Sequence, residues 1–152
     1  MTIKFKKLSE DAIIPQYQTK GSAGFDLHAI GDFIVTEGSI FLVKTGLSIE
    51  IPEGYELQIR SRSGLALKQG LIVLNAPGTV DSDYRGEIGV IMQYVKYKDD
   101  PDVSYCANIK KGDRIAQGVI AKIEQPMILL VGEGEELSST ERGSGGFGST
   151  GL

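Results

Sequence analysis

The sequence predicts an all-β fold with one short helix, of the kind found in sandwiches, jelly rolls and small barrels. Apolar and polar residues alternate in short bursts, most cleanly over residues 55–60, as they do in half-buried strands. Prolines and glycines stand between the bursts, where they form turns without interrupting a strand. A helix signal stands out only over residues 63–70.

The candidate strands are short and rich in β-branched residues, which favour strands. In chain order they comprise the alternating pair Ile3 and Phe5, an apolar stretch around Asp26, and residues 40–43, 55–60, 71–74, 88–95, 119–123 and 127–131. Residues 98–102 predict a hairpin loop and residues 110–113 a turn. In the helix, Ser63 is the expected N-cap and Gly70 the residue just past the C-terminus.

Composition predicts one domain and excludes several classes of protein. The chain has 152 residues, 41% of them hydrophobic, with a net charge of −4. This charge argues against a general nucleic-acid binder, but not against a small anionic ligand. One cysteine excludes an intrachain disulfide, and one histidine, His28, excludes multi-histidine metal sites. Without a secretory signal or an apolar run of about 20 residues, we expect a cytoplasmic protein with no membrane association.

The tail from Arg142 to Leu152 has two interpretations. Five of the nine residues from Gly143 to Gly151 are glycine, so the segment loses much backbone entropy when it becomes ordered. It also carries an arginine, three hydroxyls and Phe147, which suit phosphates and a base. It is either a disordered Gly/Ser terminus or a lid that becomes ordered around a nucleotide.

Two further segments favour an anion site. Residues 60–64 (Arg-Ser-Arg-Ser-Gly) end a strand and open the helix, where free amides meet Arg62 and the Ser63 hydroxyl. The alternative is an ordinary cap beside an exposed arginine. Residues 112–117 open a strand in which Asp113 and Arg114 suit an ion pair or a turn, while Gln117 points toward a ligand.

The segment from residue 75 to residue 86 joins two strands and combines rigid backbone with acids. A tight hairpin here presents main-chain donors and acceptors that can read the edge of a base. Asp81 or Asp83 can act as a general base toward water, or simply cap turn amides.

Asp26 stands inside an otherwise apolar strand, so its charge needs a partner. An arginine is the commoner partner, and a metal or metal-bound water is the other. Any metal is expected to be a hard ion such as Mg²⁺, held mainly by substrate phosphates and water. His28 beside it is interpreted as a surface or packing residue.

Five segments, in order, resemble the motifs of the trimeric deoxyuridine triphosphatase (dUTPase) family. They are residues 23–27, 62–64, 78–86, 112–117 and 142–150, and they span nearly the whole chain. The resemblance implies a distorted jelly-roll, β-clip-type protomer with one short helix, assembled as a homotrimer with shared active sites. It also implies hydrolysis of dUTP to dUMP and pyrophosphate with Mg²⁺. Residues 1–133 would form the jelly-roll domain and residues 134–152 a flexible arm that acts as a lid.

The resemblance assigns a role to each motif residue. Asp81 orients the attacking water, Tyr84 lies under the deoxyribose, and Asp26 reaches Mg²⁺ through water. Arg142 clamps the terminal phosphate and Phe147 stacks on uracil. The remaining substrate contacts are Arg62, Ser63, Gly64, Asn75, Gly78, Thr79, Val80, Gly89, Gln117, Gly148, Ser149 and Thr150. Ser61 stands where many relatives carry proline, which predicts a less rigid entry to the second motif.

Two alternatives remain at this point. The dCTP deaminase branch of the same superfamily needs a catalytic glutamate in the third motif, where this chain has Asp81 and Tyr84, followed by Glu87. A nucleotide-responsive interaction protein would bind dUTP and signal through a partner, with residues 94–108 as the contact.

Overall fold

A computed structural model describes residues 1–36, 38–95 and 106–146 of the chain. Within these ranges the protein has eleven strands and one helix, which confirms the predicted all-β fold with a short helix. The strands are β1 (Lys4–Lys7), β2 (Phe25–His28), β3 (Phe33–Thr36), β4 (Ile40–Lys44), β5 (Leu47–Glu50), β6 (Tyr55–Arg60), β7 (Leu71–Val73), β8 (Gly78–Val80), β9 (Gly89–Tyr94), β10 (Cys106–Ile109) and β11 (Arg114–Lys122). Helix α1 spans Ser63–Gln69.

The strands pair antiparallel in four small sheets. The orders are β1-β5, β10-β3, β2-β11-β6-β8 and β4-β9-β7. In the four-stranded sheet, β11 lies between β2 and β6, and Gln117 is in register with Asp26 on one side and Arg60 on the other. This register brings three chain segments that are distant in sequence to one place.

The core lies between the sheets and consists of aliphatic side chains around Phe25. Leu27, Leu57 and Val90 are fully buried, as expected for the inward-facing residues of strands. Phe25 also meets Phe5 and Tyr17 edge to face, with ring centroids 5.5 and 5.6 Å away. The core therefore anchors β2, the strand that carries Asp26.

The start of the helix differs from the prediction, and its end agrees with it. Ser63 is the first helical residue and not the N-cap, because Arg62 occupies the cap position in an extended conformation without a capping side-chain hydrogen bond. Gly70 ends the helix as predicted, with φ of 64° in the left-handed region.

The predicted strand at residues 127–131 is wrong for the single chain. These residues form no strand in the structure, and Ile128 and Leu130 are 93% and 97% exposed. The pattern is that of a strand, but a strand needs a partner for its backbone hydrogen bonds, and the described residues of one chain offer none here. The predicted hairpin loop at 98–102 lies outside the described residues. The predicted turn at 110–113 is confirmed, since the amide of Asp113 donates to the carbonyl of Lys110.

Across the described ranges, no helix combines the length and the apolar character that a membrane span requires.

Candidate active site

Two separate pockets contain most of the predicted site residues. The first, of about 200 Å³, is lined by Asn75, Gly78, Thr79, Val80, Asp81, Tyr84, Glu87 and Gly89 together with three isoleucines. The second, of about 340 Å³, is lined by Gln18, Ser22, Ala23, Gly24, Asp26, Arg62, Ser63, Gly64, Arg114 and Gln117. We call them the hairpin pocket and the arginine pocket.

Asp26 is the charged centre of the arginine pocket. Its carboxylate is nearly buried. It forms an ion pair with Arg62 Nε at 2.9 Å and accepts a hydrogen bond from Arg114 Nη1 at 3.4 Å. The commoner of the two predicted partners, arginine, is therefore confirmed. Two positive groups around one carboxylate leave a net positive charge in the pocket, which suits an anion.

Arg62 is held in place by two contacts. Its Nε binds Asp26, and its Nη1 donates to the main-chain carbonyl of Arg114 at 3.1 Å. Because Arg62 precedes the first helical residue, it stands where helix amides point outward. Ser61, just before it, accepts a hydrogen bond on its Oγ from the amide of Val73 at 2.9 Å. The hydroxyl thus ties the entry of α1 to β7.

Gln117 joins this pocket from the central strand. Its Nε2 donates to the carbonyl of Ser61 at 2.9 Å, as the β6–β11 register allows. Ser63 and Gly64 also line the pocket. The structure therefore brings together Asp26 and four of the predicted substrate contacts, Arg62, Ser63, Gly64 and Gln117.

Sequence reasoning missed Arg114 as a site residue. Asp113 does make the expected turn contact, accepting from the amide of Lys110 on its Oδ2, whereas the guanidinium of Arg114 reaches Asp26. Arg114 pairs with His28, which lies two residues from Asp26 in β2. This pairing would have indicated the contact, but it is known only once the strand register is known. Gln18 was also missed, since it lies in a loop without a motif.

His28 lies partly buried beside the arginine pocket. Its Nδ1 atom is buried and has no hydrogen-bond partner among the described residues. Burial lowers the pKa of His28 below 6.5, opposed by the charge of Asp26 and reinforced by the charges of Arg114 and Arg62. The side chain is therefore neutral at pH 7, in agreement with the prediction of a packing role.

The hairpin pocket has a rigid wall. β8 pairs with β6 through Gly78 and Val80, and the Asn75 side chain packs so closely on Gly78 that a Cβ there would lie 3.1 Å from Asn75 Nδ2. The peptide bond between Ala76 and Pro77 is cis. Polar main-chain groups at a fixed position next to a small cavity suit the recognition of a flat, hydrogen-bonding ring.

Asp81 and Tyr84 lie at the open side of the hairpin pocket. Asp81 directly follows β8 and is exposed, and its carbonyl accepts a hydrogen bond from the amide of Tyr84 at 3.2 Å. The Tyr84 ring is 46% exposed, and its hydroxyl donates to the carbonyl of Glu87 at 3.1 Å. An exposed carboxylate beside a ring-sized cavity has the access to water that a general base needs.

In one chain the two pockets do not meet. β8 and β11 flank β6 on opposite sides, and Val80 pairs with Leu57 while Gln117 pairs with Arg60. At about 3.3 Å per residue along β6, and with two strand spacings between β8 and β11, Asp81 lies well over 10 Å from Gln117. The two pockets have no lining residue in common.

The described part of the tail, residues 142–146, lines neither pocket. Arg142 is exposed, and its Nε donates to the carbonyl of Gly145 at 2.8 Å. The predicted contacts Phe147, Gly148, Ser149 and Thr150 lie outside the described residues.

A directly coordinated metal does not suit Asp26, because each of its carboxylate oxygens is already paired with an arginine. The described residues contain no cluster of three or more histidine, cysteine or acidic side chains that could hold an ion. The residues fit a hard cation that is carried by phosphates and reaches Asp26 only through water.

Comparisons with known proteins agree on one family. The family model described as dUTPase matches residues 10–151. A protein of Nautilia profundicola named deoxyuridine 5'-triphosphate nucleotidohydrolase is 56% identical over 151 residues, covering 99% of each chain. A protein of the same name from Helicobacter pylori strain Shi470 is 51% identical over 152 residues, covering all of this chain and 98% of its own.

Solved structures give the same picture. The dUTPase of Staphylococcus bacteriophage 80alpha with dUpNHpp is 30% identical, covers 99% of both chains and superposes with a TM-score of 0.85. The dUTPase of the S. aureus phage phi11 is 26% identical with a TM-score of 0.79, and covers 92% of this chain and all of its own.

Proposed function

The chain belongs to the dUTPase family and is a dUTP diphosphatase, and from this premise we propose how its two pockets carry out the reaction. The observation that carries the proposal is the pair of pockets itself. One is a ring-sized cavity with an exposed carboxylate, and the other is an anion pocket with two arginines. A nucleoside triphosphate has a base that suits the first pocket and phosphates that suit the second.

The hairpin pocket takes the uracil and the sugar. Main-chain groups from Asn75 to Val80 read the edge of the base, and Gly89 completes the cavity. Tyr84 lies under the deoxyribose and leaves no room for a 2′-hydroxyl. The fixed packing of Asn75 on Gly78 supports this assignment, since a rigid main chain can discriminate between hydrogen-bonding patterns.

The arginine pocket takes the phosphates. Arg62, Ser63, Gly64 and Gln117 donate to phosphate oxygens, and Arg114 adds charge. Arg62 is already oriented by its contacts with Asp26 and the Arg114 carbonyl, so little side-chain entropy is lost when phosphate binds. Charged donors contribute about 1.5–3 kcal/mol per hydrogen bond to phosphate.

Asp81 positions the attacking water. It accepts a proton from a water molecule whose oxygen forms a bond to the α-phosphorus, and the bond from that phosphorus to the bridging oxygen breaks. The products are dUMP and pyrophosphate, and Asp81 passes the proton to solvent. Mg²⁺, when bound, supplies charge neutralisation for the phosphates, with Asp26 reaching it through water.

A complete site requires two copies of the chain, because Asp81 and the arginine pocket do not meet in one. We therefore propose the homotrimer with shared sites, built from jelly-roll, β-clip-type protomers. Apolar surface that one chain leaves open supports assembly. Ile128 and Leu130 are exposed in the extended segment 127–131, and Ile40, Leu42 and Ile91 are exposed on one face of the β4-β9-β7 sheet.

The arm completes the site in this proposal. Residues 1–133 form the jelly-roll domain, and residues 134–152 act as a lid on a site away from their own domain. Arg142 clamps the terminal phosphate, Phe147 stacks on the uracil, and Gly148, Ser149 and Thr150 donate to the nucleotide. The exposure of Arg142, and its lack of contact with its own chain's pockets, supports an arm that acts elsewhere.

In a cytoplasmic setting, removing dUTP limits the incorporation of uracil into DNA, and the dUMP formed is a precursor for dTTP. The structure also bears on the deaminase alternative. The carboxylate of Glu87, the glutamate nearest to Asp81 in the third motif, accepts from the amide of Gly46 at 2.9 Å and lies 3.5 Å from Lys44 Nζ. A carboxylate engaged in this way is not available as a proton shuttle.

The test is pyrophosphate release from dUTP, dCTP, dTTP and UTP with Mg²⁺, for the wild type and for Asp81→Asn. We expect strong preference for dUTP, and a loss of at least about 100-fold in kcat for the variant, with binding of a non-hydrolysable analogue retained. Asp83→Asn is the matched control and should stay near wild type. Ammonia from dCTP without pyrophosphate from dUTP would refute the proposal, and an active Asp81→Asn would refute the role of Asp81.

A further inference from the structure

We propose that Glu87 is a positioning residue for the discrimination between deoxyribose and ribose. Its carboxylate binds the turn between β4 and β5, and this contact holds the Tyr84 ring in place. The inference rests on the proposed role of Tyr84 in the dUTPase reaction. Glu87 does not touch the reacting phosphorus in this proposal. It acts through the main chain on which the Tyr84 ring lies.

The Tyr84 ring lies directly on the main chain that follows it. A Cβ added at Gly86 would be only 2.3 Å from the Tyr84 Oη and 2.4 Å from its Cζ, so any side chain at this position would push the ring away. The hydroxyl then donates to the Glu87 carbonyl at 3.1 Å. The height and tilt of the ring therefore depend on where the peptide units of residues 86 and 87 are held.

The turn between β4 and β5 holds these peptide units. The amide of Gly46 donates to Glu87 Oε1 at 2.9 Å, and Lys44 Nζ lies 3.5 Å from the other carboxylate oxygen. On the adjacent residue, the amide of Ile88 donates to the Leu47 carbonyl, and the Thr45 hydroxyl donates to the Ile88 carbonyl, each at 2.7 Å.

The turn itself has little freedom. Thr45 is fully buried, and Gly46 adopts a φ of +65°. A Cβ at Gly46 would lie 3.0 to 3.1 Å from Ser9, Ala12 and Ile30, so the turn is packed on three sides. The carboxylate of Glu87 is thus fastened to a rigid part of the fold. It holds residue 87 through the side chain, while the Ile88 amide holds the peptide unit that carries the Glu87 carbonyl.

Excluding a 2′-hydroxyl is a steric task, because a single oxygen atom separates the two sugars. A ring that can shift by a fraction of an ångström gives that oxygen room. Without the carboxylate, residue 87 keeps the contacts of Ile88 but loses its side-chain contact with the turn, so the ring that rests on it gains freedom to move. The hydrogen bond from Gly46, and not the ion pair with Lys44, is the directional contact.

The test is the ratio of kcat/KM for dUTP to kcat/KM for UTP, measured with Mg²⁺ on the full-length protein. Glu87→Ala should lower this ratio roughly tenfold, the size expected for the loss of one hydrogen bond, mainly by improving the use of UTP. A variant that only lowers the folded fraction affects both substrates equally and leaves the ratio unchanged. Glu87→Gln retains an acceptor for the Gly46 amide and Lys44→Met retains the carboxylate, so both should keep the wild-type ratio.

The variants separate the inference from its premise. Tyr84→Ala should lower the ratio more than Glu87→Ala does. An unchanged ratio in Tyr84→Ala would overturn the proposed role of Tyr84. A changed ratio in Tyr84→Ala with an unchanged ratio in Glu87→Ala would overturn the inference alone. A fall of the ratio in Lys44→Met as large as the fall in Glu87→Ala would also overturn it. If Glu87→Ala does not assemble, Glu87→Asp decides, because its shorter side chain keeps the charge but withdraws the carboxylate from the Gly46 amide: a lowered ratio supports the inference and an unchanged one refutes it.

Discussion

At the scale of single residues, two arginines set the electrostatics of the phosphate end. Arg62 and Arg114 come from different elements and converge on one carboxylate, Asp26. With one negative and two positive groups, the pocket keeps a formal charge of +1 before any phosphate arrives. Arg62 could be predicted from sequence because it stands at a helix start. Arg114 could not, because its direction depends on a register shift between β2 and β11.

His28 gives this cluster a measurable pH dependence. Its folded pKa is lowered mainly by burial, so the unfolded chain binds the proton at a higher pH than the folded chain. The free energy of unfolding should therefore fall as the pH drops below about 6.5, the unfolded value. Thermal melts from pH 7.5 to pH 5.5, without nucleotide, should show a steeper loss of Tm in the wild type than in His28→Gln. Parallel curves would contradict this.

At the scale of elements, the sequence predicts the strands and helix ends that local sequence patterns determine. The alternation of residues 55–60 became β6, and Gly70 ended the helix in the left-handed region. β3, β5, β8 and β10 were missed because each has only three or four residues, which is too few for an alternation to stand out. The motifs predict the site residues. They do not predict which of these residues lie together, because strand pairing determines that.

The segment 127–131 and the tail are the elements that the single chain does not explain. Both have clear sequence patterns, one of a strand and one of a ligand-binding arm. Neither finds its partner among the described residues of its own chain. In the proposed assembly, other copies of the chain would supply these partners.

Removing residues 142–152 tests the tail. The truncated protein should keep the oligomeric state and the circular dichroism of the full chain, because the exposed Arg142 contributes nothing to the core. Its kcat/KM for dUTP should fall at least about tenfold, the minimum expected when one charged hydrogen bond to phosphate is lost. Glu141→Ala, next to Arg142, is the matched control and should remain active. A truncated protein of unchanged activity would refute the lid.

At the scale of the whole molecule, the proposed assembly gives each chain two halves of different sites. The disjoint linings of the hairpin pocket and the arginine pocket support this arrangement. It also explains how a chain of modest size surrounds a triphosphate on several sides. Each domain needs to build only one rigid wall, and assembly brings the walls together.

Mixed assemblies test the arrangement directly. Asp81→Asn damages only the hairpin pocket and Arg62→Ala only the arginine pocket, so each variant alone should be inactive. Co-expressed and purified together, they should regain roughly a quarter of wild-type activity, because random pairing joins two intact halves in that share of sites. As a control, Asp81→Asn with Tyr84→Ala damages the same pocket and should not recover. No recovery in the first mixture would contradict shared sites.

The distance between Asp81 and the arginine pocket also has a genetic meaning. When a site is assembled from two chains, the activity of a mixed population depends on how many intact hairpin pockets meet intact arginine pockets. An Asp81→Asn chain would still fold and assemble, and its arginine pocket would still complete the site of a wild-type neighbour. One inactivating allele should therefore cost half of the sites and no more, whereas two alleles that damage different pockets should complement each other in part and two that damage the same pocket should not.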